Sequence, residues 1–381
     1  MSEYERRSPL ATPLVVLALV GGGWFFFQTF QIEGLDQVSI YKKGQVDVQE
    51  FVSYGDAPTF AIEPVGQSQA DGQVRASVTT GNVSDNPFRA AASSTLGSMA
   101  APVVGPDRRD RARRRRVPNL RIGSWALDGF DNAKLADDAT RRNIVRIVRQ
   151  FDLVAIQQIS SLQADVLPLL VDATNGNVAP GLPPRYDFIL GEPIGPADAR
   201  ERLAFIFDTD RVRVDRSQTY VVADPENQMS YEPLVAWFQT SEADPSFAWT
   251  FSFVNVRIDL GRAPSEVALL PSMMHAIRRD GRGEDDVVVA GLLQADDAYL
   301  LPDVMGDDVR AAVRTDSTDL LGKHQTCNIL VDIDSTSEFV GRGGVLDFLR
   351  VYNLTLEDAQ KVSKHLPVYG EFTATEGGPL R

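Results

Sequence analysis

The sequence contains one cysteine, Cys327, and three histidines among its 381 residues. A single cysteine excludes an intrachain disulfide and a thiolate-rich zinc site, and three histidines are too few for a histidine-rich metal centre. Because free cysteines are commonly buried and behave as small apolar residues, we interpret Cys327 as inert rather than as a reactive thiol. The hydrophobic fraction of 43% supplies enough apolar material for one large core, or for one domain plus an appendage.

One long apolar run lies near the N-terminus, at residues 10–30. About 20 apolar residues suffice to cross a bilayer as a helix. Arg6 and Arg7 precede the run, whereas the nearest basic residues after it are Lys42 and Lys43. The positive-inside rule therefore predicts a transmembrane anchor at 10–30 with a cytoplasmic N-terminus at 1–9.

Two alternatives exist for this run. A cleaved signal peptide is one, but the run is long and ends in bulky aromatic residues without a clear small-x-small cleavage site. A buried or interfacial helix is the other. We expect a single-pass membrane protein whose C-terminal domain is extracytoplasmic.

The chain between the anchor and residue 118 changes composition twice. Residues 31–65 contain short alternating stretches that fit a small membrane-proximal segment, and residues 66–117 are rich in Gly, Ser, Ala, Thr and Asn. The second composition predicts a disordered linker. It ends in a run from Arg108 to Arg116 that holds seven arginines in nine residues.

The charge of the remaining chain limits its partners. Residues 1–117 carry 13 of the 38 Lys and Arg and 12 of the 52 Asp and Glu, so residues 118–381 have a formal net charge of −15. An acidic surface does not attract polyanions, so nucleic acid is not the expected partner of this domain. The run from Arg108 to Arg116 could bind nucleic acid or anionic lipid, or it is a solvated tail.

Residues 118–381 show regular periodicity. Asp137 and Asp138 predict the start of a helix that ends at Gln150. Other predicted helices are 162–173, 265–279 and 356–363. Predicted strands are 120–127, 151–157, 186–190, 203–207, 212–215, 234–238, 249–258, 286–290, 329–333 and 366–373. Strands outnumber helices and many are neighbours, which predicts an α+β fold: a two-sheet β-sandwich flanked by helices.

A polar loop follows the predicted strand 286–290, in the stretch AGLLQADDAYL. Hydrolases often place metal-binding or catalytic groups where a strand opens into such a loop. Here the first side chains after the glycine are Leu292, Leu293 and Gln294. No acid stands at the head of this loop.

The order of these segments resembles the endonuclease/exonuclease/phosphatase superfamily, most closely its deoxyribonuclease I-like branch. The resemblance covers residues 120–373 and rests on LRIGSWALDGF, NIVRIVRQFDLVAIQQIS, YDFILGEPIG, ARERLAFIFDTDRVRV, SYEPLVAWF, FVNVRI, VVVAGLLQADDAYL and GVLDFLRVYNLTLEDAQKVSKHLPV. It implies a two-sheet sandwich with helices on both outer faces. It also implies hydrolysis of phosphoesters by a carboxylate-bound divalent ion and a His–Asp pair.

The resemblance places family residues on specific positions of this chain. The asparagine of the first strand falls on Ala126, and the metal-binding glutamate of the QE motif falls on Gln158. The histidine that ends the FVNV strand falls on Arg257. The aspartate and asparagine of the GDFN motif fall on Leu292 and Gln294.

Further positions come from the C-terminal third of the chain. The aspartate of the strand after Cys327 falls on Leu330. In the terminal SDH motif the aspartate becomes Lys364, while His365 remains. Family arginines fall on Tyr231 and Ser160, and one substrate-side carboxylate, Glu201, is kept.

These positions predict a vestigial site, made of Ala126, Gln158, Arg257, Leu292, Gln294, Leu330, Lys364 and His365, with no metal and no cofactor. We therefore expect a membrane-anchored pseudoenzyme that binds a protein or an anionic ligand. Arg257, Lys364 and His365 form a candidate anion-binding set, although Arg257 and Lys364 also fit structural ion pairs.

Two other functions stay open. One is a divergent Mg²⁺- or Ca²⁺-dependent phosphodiesterase or nuclease with a relocated site that uses Glu201, His365 and the acidic loop from Asp296, which includes Asp297. The other is a structural spacer or assembly subunit held at a membrane.

Overall fold

The computed structural model describes residues 119–176, 183–241, 245–298 and 300–377. The anchor predicted at 10–30, its flanking segments and the arginine run lie outside these residues. Within the described part, no helix has the length and apolar character needed to cross a bilayer.

The described chain contains twelve strands and eight α-helices. The strands are β1 (Asn119–Phe130), β2 (Leu153–Ser160), β3 (Tyr186–Leu190), β4 (Glu201–Asp208), β5 (Val212–Val221), β6 (Leu234–Thr240), β7 (Thr250–Arg257), β8 (Val287–Leu292), β9 (Val309–Ala311), β10 (Cys327–Asp332), β11 (Phe339–Val345) and β12 (Val368–Thr373). The helices are α1 (Asn132–Ala136), α2 (Asp138–Val148), α3 (Val166–Asn175), α4 (Ala263–Val267), α5 (Leu270–Arg278), α6 (Leu300–Met305), α7 (Phe348–Val351) and α8 (Leu356–Val362). Two short 3₁₀ helices lie at Pro245–Phe247 and Leu260–Arg262.

The strands form two mixed sheets of six strands each. The first sheet has the order β11-β12-β1-β2-β4-β3, and the second has the order β5-β6-β7-β8-β10-β9. In each sheet one central pair is parallel, β1 with β2 and β7 with β8, and the other pairs are antiparallel. Consequently the carboxyl ends of both parallel pairs lie at one end of their sheets.

Three layers of buried apolar side chains hold these elements together. The first layer lies between the two sheets and contains an aromatic cluster that includes Phe205, Phe238 and Phe253. The second joins the first sheet to helices α1, α2, α3, α7 and α8, and the third joins the second sheet to α4, α5 and α6. The structure thus confirms the predicted α+β fold of two sheets flanked by helices.

The helix boundaries confirm one prediction from the sequence and correct another. Asp137 is the N-cap of α2, and its side chain accepts a hydrogen bond from the backbone N–H of Thr140 at 2.7 Å, as predicted. The single helix predicted at 265–279 is wrong, because α4 ends at Val267 and α5 begins at Leu270. Pro271 stands in the first turn of α5, where proline is tolerated, and it cannot continue a preceding helix.

Candidate functional site

The candidate site lies where the parallel strands of both sheets end. Ala126 of β1 is paired with Gln157 of β2, and Arg257 of β7 is paired with Leu292 of β8. An ion pair of 3.3 Å between Arg257 Nε and Glu201 Oε2 joins β7 to the start of β4 in the other sheet. The two sheets therefore meet at this end, and most of the predicted positions come together there.

The backbone at this end adopts an uncommon conformation at three points. Asp128, Gln158 and Gln294 have φ values of 51°, 61° and 53°, in the left-handed region that non-glycine residues rarely adopt. The backbone N–H of Asp128 donates to Oε1 of Gln158 at 3.1 Å, so the neutral side chain of Gln158 supports a turn. Such strain costs about 1–3 kcal/mol per residue and concentrates at functional sites.

Leu292 occupies a dry, apolar position. Its exposed fraction is 0%, and it belongs to the layer between the sheets together with Ala126 and Cys327. Strand β8 also packs closely against β7 here. A Cβ atom at Gly291 would lie 2.0 Å from the carbonyl oxygen of Val256, so a side chain at this position would clash. Side chains of this kind offer no oxygen ligand to a hard cation.

Leu330 does not belong to the site, which corrects its sequence assignment. It is paired with Val289, and both side chains lie in the layer that faces the helices. Cys327, three positions earlier in β10, is paired with Leu292 and faces the space between the sheets. Since side chains alternate along a strand, an odd separation places these two on opposite faces.

Cys327 is the β10 residue that faces the site, and it is chemically inert there. Its exposed fraction is 0%. Burial raises the pKa of its thiol to about 12, against weaker opposing hydrogen bonds that include one from Thr326. A thiol is a nucleophile or metal ligand only as thiolate, so Cys327 supplies neither function at neutral pH.

His365 is half-buried and held by hydrogen bonds. Its Nδ1 lies 3.2 Å from Oγ1 of Thr326, its carbonyl oxygen accepts from Trp125 Nε1 at 2.9 Å, and its backbone N–H donates to Oγ of Ser363 at 2.9 Å. The ring nitrogen thus faces a hydroxyl group. The resemblance implies a His–carboxylate pair, whereas the partner of this nitrogen is a hydroxyl group.

The electrostatic surroundings keep His365 neutral. Burial lowers the pKa of its imidazole below the ordinary value of 6.5, Asp128 opposes this shift, and Arg257 and Lys364 reinforce it. Asp319 adds a weaker opposing effect. A neutral ring is not an electrostatic anchor for an anion.

Both predicted cations already have carboxylate partners. Besides its ion pair with Glu201, the Arg257 guanidinium lies 4.6 Å from the ring centre of Tyr231 and donates to the carbonyl oxygen of Ile258. Burial raises the pKa of Glu201, and Arg257 counteracts that increase. Arg257 is therefore a positioned structural cation that an incoming anion would have to separate from Glu201.

Lys364 forms a more open ion pair. Its Nζ lies 3.2 Å from Oδ2 of Asp128, and its side chain is 70% exposed. Sequence reasoning missed Asp128, although it stands two positions after Ala126 on the same strand. It also missed Lys134, whose Nζ donates to the carbonyl oxygens of Leu127 and Asp128 at 2.7 and 2.9 Å.

The residues of the predicted relocated site are engaged in local structure. Asp296 Oδ1 accepts from the backbone of Ala298 at 3.0 Å, and Asp297 Oδ1 accepts from that of Thr315 at 3.1 Å. Within the described chain, the only group of three His, Cys, Asp or Glu side chains spaced to hold a metal ion contains neither of these aspartates, nor Glu201 or His365.

Comparison with known proteins adds sequence relationships to this geometry. No protein-family model matches the chain. Deoxyribonuclease gamma of Rattus norvegicus is 25% identical over 265 residues, which cover 66% of this chain and 83% of that protein. Deoxyribonuclease-1 of Bos taurus is 25% identical over 270 residues, which cover 66% of this chain and 91% of that protein.

Solved structures with a similar fold include two proteins from Bacteroides thetaiotaomicron. An endonuclease/exonuclease/phosphatase family protein has a TM-score of 0.46 and 16% identity, covering 66% of this chain and 97% of that one. A mannosyl-6-phosphatase has a TM-score of 0.45 and 16% identity, and the match covers 67% of this chain and 99% of that one.

Proposed function

The chain is a homologue of the deoxyribonuclease I-like proteins of the endonuclease/exonuclease/phosphatase superfamily, and on that premise we propose that its domain is a pseudoenzyme. In this proposal the domain no longer hydrolyses phosphoesters and acts as a binding or interaction module. Residues 10–30 anchor it in a membrane, and the domain lies on the extracytoplasmic side.

The observation that carries the proposal is the burial of Leu292. The resemblance places a metal-site aspartate at this position, but the side chain is apolar, 0% exposed and packed against its neighbours. Mg²⁺ and Ca²⁺ take oxygen ligands and give up water reluctantly without carboxylates. The neutral side chains of Gln158 and Gln294 do not replace the missing charge.

The charge at this end of the sheets supports the same conclusion. Arg257 and Lys364 stand where the resemblance places a histidine and an aspartate, and both are positively charged. A divalent cation at this point would be repelled by these two side chains, and their carboxylate partners, Glu201 and Asp128, are already engaged in ion pairs. Ion pairs therefore occupy the end of the sheets where the resemblance implies a metal ion.

The proton-transfer function is also lost. His365 is neutral, and its Nδ1 faces Thr326 instead of a carboxylate. Loss of one positioned acid or base typically lowers the rate by about 10²–10⁴-fold. Here the metal ligands and the orienting carboxylate are missing together, so we expect no turnover above background.

The test is a hydrolysis assay on the full chain purified in detergent. Substrates are plasmid DNA and a chromogenic phosphodiester with Mg²⁺, Mn²⁺ or Ca²⁺, and deoxyribonuclease-1 in the same detergent is the positive control. We expect wild type and His365→Ala to show the same background rate, with cooperative thermal unfolding proving that both are folded. Turnover that requires a metal ion and disappears in His365→Ala would overturn the proposal.

The membrane arrangement needs a separate test. In sealed right-side-out vesicles, added protease should digest the domain while a tag at residue 1 stays protected. Recovery of the whole chain in the soluble fraction, or protection of the domain, would contradict the proposed anchor or its orientation.

A further inference from the structure

A second group of acidic side chains lies at the opposite end of β8 from the candidate site. Asp286 directly precedes β8, which runs from Val287 to Leu292 and spans about 20 Å at the usual rise per residue. The carboxylates of Asp286, Glu338 and Glu376 each offer one oxygen atom. These three oxygen atoms lie within 4.8 Å of one another. This group belongs neither to the vestigial site nor to its relocated alternative.

The three carboxylates extend from the surface to the interior. Asp286 and Glu338 are 2% and 1% exposed, whereas Glu376 is exposed. Glu338 precedes β11, and Glu376 follows β12. An ion entering past Glu376 would contact three separate segments of the chain.

An independent observation points to a ligand at this group. Oδ1 of Asp286 is buried and has no hydrogen-bond partner among the described residues, while Oδ2 accepts from Trp249 Nε1 at 2.7 Å. The hydroxyl oxygen of Thr336, 1% exposed, faces this carboxylate and likewise lacks a hydrogen bond of normal geometry. Buried polar atoms are rarely left without a partner, so this carboxylate oxygen of the group and the hydroxyl oxygen that faces it suggest a bound cation.

The charge balance points the same way. The ion pairs of the described chain include neither Asp286 nor Glu376. Buried charges are normally paired or coordinate a metal ion.

We propose that Asp286, Glu338 and Glu376 bind a divalent cation of the Ca²⁺ type. Ca²⁺ lies about 2.3–2.6 Å from oxygen ligands, so two oxygen atoms bound to one ion are at most about 5.2 Å apart, and the three carboxylates meet this limit. Mg²⁺ needs shorter distances and near-ideal octahedral geometry, and it usually keeps several waters. The ion would be structural, fastening the start of β8 to the segments that flank β11 and β12.

The first experiment measures thermal unfolding of the full chain in detergent, with EDTA or with Ca²⁺. A ligand that binds only the folded state at about 100 times its Kd should raise the Tm of a domain of this size by about 5–10 °C. We expect this shift in wild type and in Asp285→Asn, a matched control that removes an exposed neighbouring acid. We expect it to be lost in Asp286→Asn and in Glu376→Gln.

Glu376→Gln keeps the test decisive if Asp286→Asn does not fold, because Glu376 is exposed. The absence of a Ca²⁺ shift in wild type, or an equal shift in wild type and Glu376→Gln, overturns the proposal. Equal shifts with Mg²⁺ and Ca²⁺ overturn the assignment to a Ca²⁺-type ion.

The second experiment uses Tb³⁺, which replaces Ca²⁺ and emits light when a nearby tryptophan is excited. Because Trp249 donates to Asp286, we expect sensitised emission that Ca²⁺ displaces and that Trp249→Phe reduces strongly. Emission of equal strength in Glu376→Gln would place the ion elsewhere. Neither readout depends on phosphoester hydrolysis, so this inference and the proposed loss of activity can fail separately.

Discussion

Gln157 in β2 donates a 2.7 Å hydrogen bond to the side-chain oxygen of Asn255 in β7, and this bond joins the two sheets behind the candidate site. Asn255 Nδ2 in turn donates to the carbonyl oxygens of Ile156 and Ala204 at 3.0 and 2.9 Å. The side chains of Gln157, Asn255 and Ser124 are all 0% exposed. A satisfied polar network in an apolar core fixes the position of one sheet relative to the other.

Removing the central amide should therefore destabilise the fold. Asn255→Ala removes the side-chain donor to two buried carbonyl oxygens and leaves the Gln157 amide with Ser124 as its remaining partner. We expect it to lower the free energy of unfolding by about 2–4 kcal/mol. Chemical denaturation of the full chain in detergent measures the change. Gln150→Ala, which alters an exposed side chain, should stay within about 0.5 kcal/mol of wild type. A loss below about 1 kcal/mol in Asn255→Ala would contradict a role for the network.

The fold followed from the sequence where local periodicity and capping were strong. Residues 186–190 were predicted as a strand with the bounds that β3 has, and the Asp137 cap was confirmed. The strand β11 was missed because FVGRGGV has three glycines and no apolar alternation. It lies at the edge of its sheet and is defined by pairing with β12, which a local pattern does not contain.

The site was predictable only to the extent that motifs fix strand register. Ala126, Arg257 and Leu292 lie at one end of the sheets, as the resemblance implied. Leu330 was misplaced because a short shift in alignment moves a side chain to the other face of a strand. The ion pair between Asp128 and Lys364 joins residues 236 positions apart, so a local sequence pattern could not predict it.

The ion pair of Arg257 with Glu201 should stabilise the domain only as a pair. The side chains are 11% and 20% exposed, and removing one partner of a buried pair leaves an uncompensated charge. We expect Arg257→Met to lower the free energy of unfolding by about 2–4 kcal/mol at pH 7. The double variant Arg257→Met/Glu201→Gln should recover at least half of that loss.

The control for this cycle is the exposed pair of Arg350 with Asp347, where the arginine side chain is 85% exposed. Arg350→Met should change the unfolding free energy by less than about 0.5 kcal/mol. Additive effects of the two substitutions at Arg257 and Glu201 would show that the charges are not coupled.

The protonation of His365 gives a pH-dependent prediction. Its folded-state pKa lies below 6.5, so the unfolded chain takes up this proton first as the pH falls. The contribution of His365 to stability is therefore complete above pH 6.5, decreases as the pH falls through that value, and levels off below the folded pKa. In His365→Asn, the unfolding free energy should fall less steeply between pH 7 and 5.

Imidazole NMR signals can measure this pKa directly, since the chain has three histidines and His365→Asn identifies the signal. Asp128→Asn removes the largest effect that opposes burial, so it should lower the pKa of His365 further. Lys364→Ala should raise it. A His365 pKa at or above 6.5 in wild type would contradict the described surroundings.

Cys327 should be unreactive as long as the domain is folded. Its thiol is 0% exposed and its pKa is raised to about 12 by burial, so both the thiolate and access to it are missing at pH 8. Since the chain has one cysteine, reaction with an aromatic disulfide reagent reports this residue alone. We expect the native protein to react at less than about one hundredth of the denatured-state rate. In guanidinium chloride, one thiol per chain should react.

Arg257→Met, which disturbs the same end of the sheets, should raise the reaction rate of Cys327 in the native protein through local opening, whereas Arg350→Met should not. Stoichiometric modification of native wild type within minutes would show that the space between the sheets is open at this end, and the packing described for Leu292 and Cys327 would then be wrong.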